Sequence, residues 1–76
     1  MGGLVRAGLA ESLRAWRLNE ARERGVPAFR IFTDRVLHAL VEAQPRDLAS
    51  LRALDGVGPQ LATRYGRDIL ALLAAD

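Results

Sequence analysis

Gly56-Val57-Gly58-Pro59 stands between two short runs whose apolar residues recur at helical spacing, and it narrows the choice of fold more than any other stretch. Upstream, Leu48, Leu51 and Leu54 are spaced by three, and Asp47 is a good N-cap for them. Downstream, Leu61, Tyr65, Ile69, Leu72 and Leu73 mark one helical face, which Pro59 opens at no cost because a first-turn N–H has no partner anyway. The Gly-x-Gly turn lets two backbones approach closely and leaves N–H groups of the second helix pointing outward. Such a turn is either a tight connection that only packs two helices, or a place where those N–H groups meet a phosphate.

The rest of the chain has the same period. Leu9, Leu13 and Trp16 fall at i, i+4 and i+7 within a first helix over Val5 to Arg24, which Gly25-Val26-Pro27 stops. Arg17 and Glu20 project into the same stripe, while Leu18 points to the far side. A charge beside the core needs a partner, and for Arg17 the choices are Glu20 three residues on or Asp34 across the bundle. Pro27 to Phe32 is too short for a normal helix and reads as an extended entry into a single turn. Thr33 or Asp34 caps the next helix, which carries Val36, Leu37, Leu40 and Val41 and ends near Gln44, ahead of Pro45. Gly66 lies inside the last helix and weakens it by about 1 kcal/mol unless close packing uses its missing side chain. No segment shows sustained alternation, so the expected fold is all-α: a compact bundle of five helices, counting the connector turn as one, with a helix-hairpin-helix-like turn.

At 76 residues the chain has room for one small core, and with no cysteine that core must be hydrophobic packing alone. Residues 1–3 read as a linker or expression-derived residues, and 4–76 as a single domain. No apolar run approaches the ~20 residues of a membrane span. Met1-Gly2-Gly3 does not begin a signal peptide. The expectation is a soluble cytoplasmic monomer with no membrane partner. All 11 basic residues are arginine, yet the net charge is only +2, so nucleic-acid binding would depend on a local patch and be modest and salt-sensitive.

Several residues carry a resemblance to a known family. They are Leu13-Arg14-Ala15-Trp16-Arg17 with Ala21, Val26-Pro27-Ala28-Phe29-x-Ile31-Phe32-x-Asp34-x-x-Leu37, and Pro45, followed by Leu51-x-x-Leu54-x-Gly56-Val57-Gly58 and Tyr65-Gly66-x-x-Ile69-Leu70. In this order and spacing the chain resembles the HRDC domain of RecQ-type DNA helicases and RNase D, from about Leu9 onward. The resemblance implies a non-catalytic accessory domain with no cofactor, nucleoid-associated in a bacterium and nuclear in a eukaryote. Its partners would be single-stranded or partial-duplex DNA and the other domains of a parent helicase. Two alternatives accompany it: a regulatory module docking on those domains with little DNA binding of its own, and an RNA-holding domain of an RNase D-type exonuclease. The resemblance also places at Phe29 an aromatic that is often Tyr and is implicated in binding single strands; Phe keeps the stacking face and loses the hydroxyl.

The candidate nucleic-acid-binding residues are Arg14, Phe29, Arg30, Gly56, Gly58, Gln60 and Arg64, and the structural polar group is Arg17, Glu20 and Asp34. Phe29 beside Arg30 suits a splayed base next to its phosphate, unless Phe29 is core with Ile31 and Phe32. At the Gly56 turn, Asp55 opposes an incoming phosphate, and Gln60 holds a place where a basic side chain would add charge. Arg14, Arg22 and Arg24 extend the Phe29–Arg30 patch or merely complement the helix end, and Arg64 and Arg67, after the Gly-x-Gly turn, reach the same phosphate backbone or form a solvated face. Neither a catalytic nor a metal site is expected: His38 has only Glu42 at i+4, and two ligands do not make a structural zinc site.

Overall fold

A computed structural model describes residues 2–74, and these contain helices and turns but no strand. Helix α1 spans Gly2–Arg24, a 3-10 turn spans Ala28–Arg30, and α2 (Asp34–Ala43), α3 (Leu48–Arg52) and α4 (Pro59–Ala74) follow. The class is all-α, with the elements in the expected order, but only four of the five are α-helices and the connector is a 3-10 turn. Pro27 is extended (φ −63°, ψ 151°), and so is Thr33 (φ −82°, ψ 166°). Only one turn fits between them, closed by Arg30 N–H donating to Pro27 O and Ile31 N–H to Ala28 O, both at 3.0 Å. Helix α1 takes in Gly2 and Gly3, two of the three residues read as linker. Met1 and residues 75–76 lie outside the described residues.

The helix ends follow from local chemistry. Gly25 at φ 68° turns the chain out of α1, with its N–H on Arg22 O (3.2 Å) and Val26 N–H on Ala21 O (3.0 Å), the paired bonds of a Schellman stop. Thr33, not Asp34, caps α2, its hydroxyl accepting from Val36 N–H at 3.3 Å. Gln44 takes the left-handed position after α2 at φ 45°, its N–H on Leu40 O at 2.8 Å. Asp47 caps α3 by accepting from Ser50 N–H at 2.8 Å. That bond, and then the Ser50 side chain, hold the Asp47 carboxyl below its ordinary value of 3.8. Helix α3 is only five residues long, and Leu54 lies beyond it in the turn, its N–H on Leu51 O.

One core joins all four helices, with Leu13, Leu37, Leu40, Leu51 and Ile69 fully enclosed. Trp16 on α1 stacks on Phe32 (centroids 6.2 Å, planes 9° apart) and meets Tyr65 of α4 edge-on (5.2 Å, 83°), tying the connector between the two longest helices. Gly66 is buried where α4 crosses α3, and a Cβ there would stand 2.6 Å from Leu48 Cδ2, so its missing side chain is used in packing.

Arg17 straps the start of α2 to α1. One of its Nη atoms lies 2.9 Å from Asp34 Oδ1, the other donates to Phe32 O at 3.1 Å, and the guanidinium sits 5.4 Å from the Phe32 ring centroid. Glu20, the other partner the spacing allowed, instead meets Arg24 Nε at 3.3 Å.

Candidate nucleic-acid interface

The connector decides which aromatic faces solvent. Ile31 and Phe32 turn inward to complete the core, and Phe29 on the 3-10 turn is left 63% exposed. A ring this open has a face available for stacking, and Arg30 next to it is exposed as well.

Three arginines distant in sequence converge beside this turn. Arg24 at the end of α1, Arg30 on the 3-10 turn and Arg64 on α4 line one cleft of about 340 Å³ together with Val26, Ile31 and Tyr65. Arg24 is held in place by Glu20 and by the Tyr65 ring, whose centroid is 5.3 Å from its guanidinium carbon. Among the described residues Arg30 and Arg64 have no carboxylate partner. Two uncompensated guanidiniums and one restrained one therefore face the same concavity, an arrangement that attracts and orients phosphate. The sequence offered Arg24 either as an extension of the Phe29–Arg30 patch or as a helix-end charge, and did not single out Tyr65. Their convergence links positions some 40 residues apart, which no local pattern reports.

Arg14 is exposed on α1 but does not line the cleft; ten residues before Arg24, it stands about 15 Å up the helix.

The Gly56 turn lies on the other side of Arg64. A second hollow of about 310 Å³ is lined by Pro59, Gln60, Thr63 and Arg64, so Arg64 borders both concavities. The two glycines differ in role. Gly56 has φ 89°, and a Cβ would come 3.0 Å from Val36 Cγ2, so the turn is seated against α2. At Gly58 a Cβ would meet nothing within 4 Å. Asp55 is salt-bridged to Arg35 of α2, which offsets the repulsion its carboxylate would exert on a phosphate. His38 is exposed, and among the described residues no group of three potential metal ligands is clustered.

The model of the HRDC domain matches residues 6–73. The chain belongs to the HRDC family. Over 61 residues, 80% of the chain, it is 44% identical to the ATP-dependent DNA helicase UvrD2 of Mycobacterium tuberculosis. Over 67 residues, 88% of the chain, it is 39% identical to the ATP-dependent DNA helicase RecQ of Bacillus subtilis. These matches span only 9% and 11% of the two relatives. Among solved structures, HRDC domain 3 of D. radiodurans RecQ superposes with a TM-score of 0.88 at 38% identity, covering 92% of each chain. The four helices and 3-10 turn are thus those of an HRDC domain, and no helix among the described residues is long and apolar enough to cross a membrane.

Proposed function

We propose that this HRDC domain is a non-catalytic accessory module of a DNA helicase, holding single-stranded or partial-duplex DNA weakly and tuning how the parent enzyme engages its substrate. The observation that carries this reading is the exposed Phe29 ring beside a cleft in which Arg30 and Arg64 lack carboxylate partners. A base stacks on Phe29 while its phosphate is held by Arg30 and Arg64, with stacking contributing ~1–3 kcal/mol per base. The Gly56 to Gln60 turn and Arg14 are secondary contacts along the same backbone. The relatives it matches are DNA helicases, which favours DNA over RNA as the ligand.

The test is fluorescence anisotropy with a labelled single-stranded oligonucleotide at low salt. Phe29→Ala and Arg30→Ala are each expected to weaken binding several-fold, whereas Arg14→Ala changes it little. Unchanged affinity in both of the first two variants would remove this surface as the binding site.

A second reading is favoured by a separate observation on α1. Leu4 is 82% exposed and Leu18 46%. At 100° per residue they lie about 40° apart on the outward face, with exposed Ala7 and Ala15 flanking them and the exposed carboxylate of Glu11 midway between. Such a face suits docking on another domain of the parent protein. In that case Leu18→Glu would disturb the parent helicase while leaving the isolated domain's DNA affinity intact.

A further inference from the structure

The cleft between the end of α1, the 3-10 turn and α4 has more cationic character than one link of a continuing strand requires. Its cations are Arg24, Arg30 and Arg64, and among the described residues the only carboxylate paired to any of them is Glu20, 3.3 Å from Arg24 Nε. The local balance is close to two positive charges. Arg24 uses Nε and its planar face on Glu20 and Tyr65, and among the described residues its terminal nitrogens make no hydrogen bond. The walls between the guanidiniums are Val26, Ile31 and the Tyr65 ring, which compete for no phosphate oxygen.

We propose that this cleft holds the terminal phosphomonoester of a nucleic-acid strand, a reading that rests on the nucleic-acid function proposed above and names the part of the ligand the site selects. An internal phosphodiester carries one negative charge and two free oxygens. A terminal phosphomonoester carries about −1.5 to −2 at neutral pH and three acceptor oxygens. Two free guanidinium forks, each able to bind two oxygens side by side, match the second group in charge and in acceptor number. Size points the same way. At about 340 Å³ the cleft is at the small end of ligand sites, enough for roughly one nucleotide and not for a run of them. Phe29, adjacent to Arg30 and open to solvent, then stacks the terminal base, which has no neighbour on its outer side.

The experiment is an NMR shift titration of the isotope-labelled chain at low salt, followed at the amides of Arg30, Arg64 and Tyr65. The probes are tetrathymidylate with a 5′-phosphate, the same with a 3′-phosphate, and a hydroxyl-ended hexathymidylate, which has the same total charge of about −5. At least one phosphorylated tetramer is expected to bind about tenfold more tightly than the charge-matched hexamer, the gain from a bidentate charge-assisted contact. Arg64→Lys keeps the charge and loses the fork, and it is expected to abolish most of that difference with the remaining spectrum unchanged. Equal affinity for the tetramers and the hexamer would overturn end recognition while leaving nucleic-acid binding in place. Absence of shifts with every oligonucleotide would overturn the nucleic-acid function itself. Thymidine monophosphate or a phosphoserine peptide binding as tightly as the phosphorylated tetramer would also overturn the proposal, in favour of a free-nucleotide or phosphopeptide site.

Discussion

Replacing Arg17 with Met tests what holds the connector to the bundle. Met keeps most of the apolar stem and removes the guanidinium. The side chain of Arg17 is only 12% exposed and that of Asp34 is 73% exposed, so the two ends of this strap are not equivalent. The bond from Arg17 to Phe32 O is charge-assisted and partly buried, worth ~1.5–3 kcal/mol. The ion pair, with one partner largely in water, adds at most about 1 kcal/mol. Part of this is returned on substitution, because Arg17 Nε is buried without a hydrogen-bond partner among the described residues. The net loss for Arg17→Met is about 2 kcal/mol, or roughly 8–16 °C in Tm for a domain of this size. Asp34→Ala removes the exposed partner and a first-turn acidic residue, and is expected to lose about 1 kcal/mol or less. Thermal and urea unfolding followed by far-UV circular dichroism measure both. A Tm for Arg17→Met within 2 °C (about 0.3–0.5 kcal/mol) of the unsubstituted chain, or an Asp34→Ala loss as large as that of Arg17→Met, would refute the reasoning.

Other substitutions probe the remaining packing. The Tyr65 hydroxyl is buried with no hydrogen-bond partner among the described residues, so Tyr65→Phe should leave stability unchanged or raise it by about 1 kcal/mol; a clear loss in urea unfolding would mean the hydroxyl is satisfied in solution. Gly66→Val should destabilise by ~1–3 kcal/mol despite a better helix propensity, because its branches would enter space occupied by Leu48 and Leu51; a raised Tm would contradict the close crossing of α3 and α4. Asp47 has a lowered folded-state pKa, so its contribution to stability is present above the unfolded value near 3.8 and is lost as pH falls through the lower folded one. Asp47→Ala should flatten that acid limb in a pH series of urea midpoints, and an unaltered limb would assign it to other carboxylates.

How much of this was legible in the amino-acid order varied with the range of the interaction. Gly25, Pro45 and Pro59 marked helix ends because their effects are confined to neighbouring dihedrals, and Asp47 marked a cap for the same reason. The connector was legible for the same reason: Pro27 to Phe32 is too short for a normal helix and opens with proline, and the extended geometry of Pro27 and Thr33 limits it to one 3-10 turn. Helical spacing offered Arg17 two partners and could not choose between them, since the choice depends on how α2 enters the bundle. Whether Phe29 was core or surface depended on Ile31 and Phe32 filling the space against Trp16 first. The sequence named Arg24, Arg30 and Arg64 separately, but not that they share one cleft, because they come from three separate elements.

The central claim is that the surface around Phe29, Arg30 and Arg64 binds nucleic acid directly. A titration of the isolated domain with labelled single-stranded oligonucleotide at two salt concentrations tests it most directly. With two or three phosphates neutralised, affinity is expected to fall roughly 10–30-fold for a fivefold rise in salt, and Arg30→Ala with Arg64→Ala should flatten that dependence. No binding even at the lower salt concentration would contradict the claim and favour a domain that acts by docking through the outer face of α1.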